Sequence, residues 1–203
     1  MVDHLVAAVY RFSQSHASQT LPIVDAQPDM LRKYVSRILQ SDSKNYTDAS
    51  DFVMSHSYYF LREPPCAVKL HRHTKAHREV GEHPQRQHWS LDKIRAKFLE
   101  LLQPAADSWE HDPLAKVVSD VIEFFAEERR CVVDGEDMDG ARKWMSTWMW
   151  QVLRGYVAWG LNGPSLVDTM VLLGPEIVLA RIRDVDVILD AGKEILLLPG
   201  NEI

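Results

Sequence analysis

Apolar residues along the chain recur mostly at helical spacing. In "MLRKYVSRILQ", Leu31, Val35, Ile38 and Leu39 form one stripe, which predicts a helix over residues 30–40 with Asp29 placed to cap it. A second helix is predicted from Thr47, whose hydroxyl caps it, through "DASDFVMSHSYYFL" until "REPP" stops it. Ser90 begins a third, "SLDKIRAKFLELLQP", with Ile94, Phe98, Leu101 and Leu102 inward and Pro104 at its end. Asp112 and Pro113, as cap and first residue, open a fourth through "LAKVVSDVIEFFAEERR". The acidic turn "DGEDMDG" then separates it from a fifth, "ARKWMSTWMWQVLRGYVAWG".

Two Gly-Pro pairs punctuate the chain beyond that helix. Gly163-Pro164 ends a connection, Ser165 caps a short helix "LVDTMVLL", and Gly174 closes that helix in the left-handed conformation it tolerates. Pro175 opens the next helix, "EIVLARIRDVDVIL", which Gly192 ends. Strands are scarce apart from a terminal "EILLL", so the fold class expected is all-α. The pattern divides the chain into an N-terminal helical part (1–62), a His- and Arg-rich linker or loop (63–89), and a C-terminal helical bundle (90–203).

Bulk composition narrows the functions. The chain has 203 residues, 46% hydrophobic and 26% charged, enough for a sizeable core. Arg154, Asp168, Glu176 and Arg181 break its longest apolar stretches, so no membrane partner is expected. Cys66 and Cys131 lack the close spacing of a redox or metal pair. With a net charge of −6, any contact with nucleic acid must use a local basic face. The N-terminal "MVDHLVAAVYRFSQSHASQ" carries neither a basic leader nor the character of an organellar presequence.

Candidate chemistry is sparse. His71, His73, His77, His83 and His88, with Cys66 and Glu79, make up one possible metal set, but Lys69, Arg72, Lys75, Arg78 and Arg86 among them oppose a cation. The same residues read either as a phosphate-contacting strip or as a solvated loop, the latter favoured, so no metal site is assigned. Trp144 and Trp148 share a helical face and read as core; Trp150 points elsewhere, as an exposed platform for a base. The acids Glu127, Glu128, Asp134, Glu136, Asp137 and Asp139 read as solvated helix ends and loop. None of the nucleophile-elbow, phosphate-loop, dinucleotide or zinc-protease motifs occurs, so no catalytic residue is assigned.

The C-terminal stretch resembles the end of glutamyl-tRNA synthetases of the bacterial and organellar type. The residues carrying the resemblance are Leu153-Arg154, Gly163-Pro164-Ser165, the apolar run 166–172, Leu173-Gly174 and Ala180-Arg181-Ile182. Upstream, "SDSKNYTDASDFVMSHSYYFLREP" resembles the family's turn, apolar helix and aromatic-rich motif, and Trp109 with "DPLAKVVSDVIEFFAEE" matches its Trp and acidic helix. The likeness runs from about Met30 to Ile188. Where the family has Leu-Thr-Gly after Leu-Arg, this chain has "GYVAWGLNG". The two ATP-holding signatures of class I synthetases, of the "HIGH" and "KMSKS" kind, are not found in it.

The resemblance implies an all-helical domain of the anticodon-binding type that grips the anticodon arm of a tRNA, glutamate tRNA first, in support of glutamyl-tRNA aminoacylation. It assigns no cofactor to this chain: ATP and Mg belong to a catalytic synthetase module, which is the expected partner and without which no ligase activity is expected. Met1, opening directly into the region downstream of the family's catalytic half, suits a split or truncated chain. The organellar flavour implies a mitochondrial location, with the cytoplasm as the alternative. The candidate tRNA contacts are Arg154, Arg181, Arg183, Lys143 and Arg142. For Arg154 and Arg181 a second reading stays open, in which they pair with Asp168 or Glu176 and hold the short-helix turn together. The rival functions are a helical protein-interaction module that has lost tRNA binding and a helical enzyme using the His-rich segment.

Overall fold

The computed structural model describes residues 1–42, 46–63, 91–133, 135–161 and 163–184. The protein is all-α. In chain order the helices are α1 (Val2–Gln14), α2 (Pro28–Ser41), α3 (Ala49–Ser55), α4 (Leu91–Leu102), α5 (His111–Val132), α6 (Met138–Ala158), α7 (Leu166–Leu173) and α8 (Pro175–Arg183). Short 3-10 turns lie at Ala17–Gln19, Ser57–Tyr59 and Pro104–Ser108. No strand occurs among the described residues; Thr20 and Leu61 form an isolated antiparallel bridge. The His-rich segment, the end of the last predicted helix with Gly192, and "EILLL" lie outside the described residues.

Most of the predicted helices form where the pattern places them, and their ends differ for identifiable reasons. In α2, Leu31, Val35 and Ile38 are buried as expected, joined by Tyr34. Its cap is Gln27 rather than Asp29, because Pro28 supplies the fixed φ of the first helical position. Asp29 falls within the first turn, where its charge favours the N-terminal dipole. Likewise α5 starts at His111 with Glu110 as its cap, and Pro113 occupies the first turn, where no intrahelical donor is needed. In α4 the buried stripe is Ile94, Phe98 and Leu102, with Leu101 half-buried beside it. α1 has no counterpart among the predicted elements; Met1 caps it without a side-chain bond, so no capping residue marks its start.

The predicted helix over 47–61 is the largest correction. Asp48, not Thr47, is the cap, accepting from the Ser50 and Asp51 amides at 2.8 and 2.9 Å. Thr47 instead donates its amide and hydroxyl to the Asp51 carboxylate, which holds that carboxyl below its ordinary range. The α-helix stops at Ser55, and the chain tightens into a 3-10 turn. Tyr58, Tyr59, Phe60 and Leu61 are four consecutive residues with no exposed surface. One face of a helix at 3.6 residues per turn cannot bury four in a row.

One apolar core runs through the N-terminal helices and the C-terminal bundle, from Leu5 to Ile182. The long helices α5 and α6 pack along each other, α7 sits on α2, α5 and α6, and α8 sits on α4, α6 and α7. Polar bonds tie distant segments: Tyr59 Oη donates to Thr169 Oγ1 at 3.2 Å, and Trp109 Nε1 to the Met170 carbonyl at 2.7 Å. Gly174, at φ 81°, ends α7 and begins α8, a conformation glycine adopts without steric cost. Among the described residues no helix is long and apolar enough to cross a membrane.

Candidate nucleic-acid interface

Arg181 projects from α8 into the protein and is 3% exposed. Its Nη1 donates to the Val157 carbonyl at 2.6 Å, and its Nη2 to the carbonyls of Tyr58 and Leu61 at 2.5 and 2.7 Å. Val157 lies in the last turn of α6, and Tyr58 and Leu61 lie in and just after the 3-10 turn, so the guanidinium meets the negative ends of two helical segments. Burial pulls its pKa down to about 10, which leaves it charged at neutral pH.

Arg154 works in the same region on another connection. Its Nε donates to the Leu161 carbonyl at 2.6 Å and its Nη1 to the Pro164 carbonyl at 2.7 Å. Between them, the two arginines hold the Gly163-Pro164 turn and the Tyr58–Leu61 segment against α6. The motif glycine has a steric reason: a Cβ on Gly163 would lie 2.1 Å from Tyr58 Oη and 3.0 Å from Arg154 Nη2. Pairing with Asp168 or Glu176 is not what the structure shows. Asp168 accepts from Ser165 Oγ at 2.6 Å, and Ser165 Oγ caps the Asp168 amide at 3.0 Å, while Glu176 is exposed in the first turn of α8.

These positions change the list of candidate RNA contacts. Arg181 is buried and its Nη groups are engaged by carbonyls, and Arg154 has two of its nitrogens engaged in the same way, so in this conformation both serve the fold. Arg142 is exposed but doubly held, by Glu123 at 2.8 Å through both Nε and Nη2 and by Asp139 at 3.0 Å. That pair holds the Glu123 carboxyl below its usual range and raises the Arg142 pKa. Lys143 and Arg183 are exposed.

Lys143 borders an open groove of about 460 Å³ along α6, whose other walls include Trp144, Thr147, Trp148 and Gln151. Trp148 is buried, Trp144 half-buried, and their ring centres are 5.8 Å apart. The Arg129 guanidinium covers Trp144 at 4.0 Å from the ring centre. Trp150 is 37% exposed. Lys143 and Val157 are 14 positions apart, roughly 21 Å along the α6 axis. The candidate contacts therefore divide: Arg142 and Lys143 lie near the start of α6, and Arg154 and Arg181 gather at its end.

Around the inner arginines lies a buried polar cluster that sequence reasoning missed. Tyr34, Tyr58 and Tyr59 are buried together, and burial pushes the Tyr58 phenol up to about 12 and those of Tyr34 and Tyr59 higher. His56 and Asp42 are buried beside them, 3.2 Å apart. The acids read as solvated are largely in ion pairs: Glu127 with Arg130, Glu128 with Lys93 and Glu136 with Arg129. No group of three or more metal-ligating side chains occurs among the described residues, and the His-rich set lies outside them. No protein-family model, curated protein or solved structure matches the chain.

Proposed function

We propose that the chain is a tRNA-binding module of the glutamyl-tRNA synthetase anticodon-binding type, gripping the anticodon arm for a catalytic module elsewhere. The observation that supports this most is the common purpose of the motif residues. Arg154, Gly163, Pro164 and Arg181, four of the residues that carry the resemblance, cluster around one joint in the fold. A shared pattern at such dispersed positions makes sense if the same joint is being built. The exposed cations Lys143 and Arg183 are the contacts assigned to phosphate, and Trp150, 37% exposed, offers a face for an unpaired base. ATP, Mg and the ligase step stay with the catalytic module. The mitochondrial location rests on the organellar type of the resemblance.

The test is a titration with total tRNA and with glutamate tRNA at two salt concentrations. Binding that prefers glutamate tRNA and weakens steeply with salt supports the module. No binding at low salt overturns tRNA recognition by this chain alone.

A second reading, a helical protein-interaction module without RNA binding, is favoured by one specific observation. Many surface cations are already neutralised by neighbouring acids, as in Arg142 with Glu123, Lys93 with Glu128, Lys116 with Asp120 and Arg130 with Glu127. The same titration separates the two.

A further inference from the structure

Gly140, Lys143, Trp144, Thr147, Trp148 and Gln151 follow one another along α6 at alternating steps of three and one, so they form one stripe about three turns long. That stripe, with Glu136 from the turn before it, lines the groove of about 460 Å³. A groove of this volume is of the ordinary size for a small-molecule site. α6 packs against α5, α7 and α8, whereas this stripe borders open space.

Two donors on the stripe lack an acceptor. Lys143 is exposed and makes no ion pair among the described residues, while its neighbour Arg142 is paired with Glu123 and Asp139. Trp148 is 4% exposed, and its Nε1 is buried without a hydrogen-bond partner among the described residues. An indole N–H only donates, and a buried donor of this kind normally finds an acceptor. The acid of the groove does not answer either donor, because Glu136 is held by Arg129 at 2.7 and 2.9 Å. The same guanidinium lies 4.0 Å from the Trp144 ring centre, and the two indoles are inclined at 39°, which holds the apolar wall in place. The groove therefore combines an aromatic wall, one unanswered positive charge and one donor turned from solvent.

We propose that this groove binds a planar aromatic carboxylate, with its ring against the indoles, its charge toward Lys143 and an oxygen accepting from Trp148 Nε1. A neutral ring would forgo the attraction of Lys143, and an inorganic anion would leave the indole wall facing water. The site does not rest on the tRNA reading, although both use Lys143.

The test takes 2-naphthoate as probe and 2-naphthamide as its uncharged counterpart, each titrated into the full chain while the indole N–H signals are followed by proton–nitrogen NMR. The result expected is saturable binding of naphthoate with a downfield movement of the Trp148 N–H, and about tenfold weaker binding of naphthamide. Lys143→Gln, a surface change, is expected to weaken naphthoate about tenfold and to leave naphthamide unchanged. Trp148→Phe keeps a ring and deletes the donor, and it is expected to weaken both. Failure of naphthoate to saturate, a Trp148 N–H signal that does not move, or unchanged naphthoate affinity in Lys143→Gln would each overturn the proposal. None of these three readouts needs Trp148→Phe to fold.

Discussion

The guanidinium of Arg181 lies 4.6 Å from the centre of the Trp159 ring, and Trp159 is the one non-glycine residue at positive φ among the described residues, at 54°. The two facts belong together. A left-handed Trp costs about 1–2 kcal/mol, and it ends α6 so that the indole lies against the charge that binds the Val157 carbonyl two residues back. The stacked guanidinium offsets that strain.

Replacing Arg181 should therefore act on stability. Arg181→Ala leaves three carbonyls without their donor, and a loss of about 3–5 kcal/mol is expected from a buried charged donor of this kind. Arg181→Lys should recover only part of it, because an ammonium lacks the planar fork that spans the Val157, Tyr58 and Leu61 carbonyls. Urea denaturation midpoints measure both. An Arg181→Ala chain with native stability and weakened tRNA binding would return Arg181 to the list of phosphate contacts.

Gly163 is constrained by space rather than by charge. A methyl there meets Tyr58 Oη at 2.1 Å, and the phenol is buried and has little room to retreat. Gly163→Ala should cost about 1–3 kcal/mol by overpacking. With Tyr58→Phe the nearest Tyr58 atom would be the ring carbon at 3.3 Å, so the double variant should lose less than the sum of the singles. Strict additivity in the double-mutant cycle would deny the contact.

How far the fold is legible in the sequence depends on the range of each interaction. Stripes such as Leu31, Val35 and Ile38, the Ser165 cap, and the Gly174-Pro175 joint are local, and local spacing is what a chain displays. The Tyr58–Leu61 run is not legible as a break, because its burial is decided by Tyr34 of α2, Thr169 of α7 and Arg181 of α8 rather than by its own period. Arg181 reads as a surface charge for the same reason: the carbonyls of Tyr58 and Leu61 that draw it inward lie more than a hundred residues away in sequence. Asp42 and His56, 14 residues apart, show no metal or catalytic spacing. Of the candidate site, Arg142, Lys143 and Arg183 keep the exposure their charge suggested, and Arg142 is already paired with Glu123 and Asp139.

Alkaline unfolding should report the tyrosine cluster. Burial raises Tyr58 to about 12, and Tyr34 and Tyr59 further, above the ordinary value of 10. Their contribution is whole below pH 10 and is lost as pH climbs toward the folded values. Arg181, lowered to about 10 from 12.5, acts with the opposite sign over the same window. Three groups against one leaves a net of two protons, so stability should fall by roughly 3 kcal/mol per pH unit above pH 10. Phenolate absorbance should show three of the six tyrosines ionising only as the helical signal collapses. Ionisation of all six with the helices intact would contradict the buried cluster.

The tRNA reading itself is best tested by reversing exposed charge. Lys143 and Arg183 lie on the surface, so Lys143→Glu and Arg183→Glu should leave the unfolding midpoint nearly unchanged. If each meets a phosphate, each reversal should weaken tRNA binding at low salt and reduce the slope of log affinity against log salt by about one. Arg142→Ala is the internal control: its guanidinium is already neutralised by Glu123 and Asp139, so its loss should change the slope little. Should Arg142→Ala weaken binding as much as the two reversals, the RNA would have to displace Glu123, and the interface would centre on the start of α6. Should none of the three alter the salt slope while the native chain binds, the contacts lie on other cations, and the assignment of Lys143 and Arg183 fails.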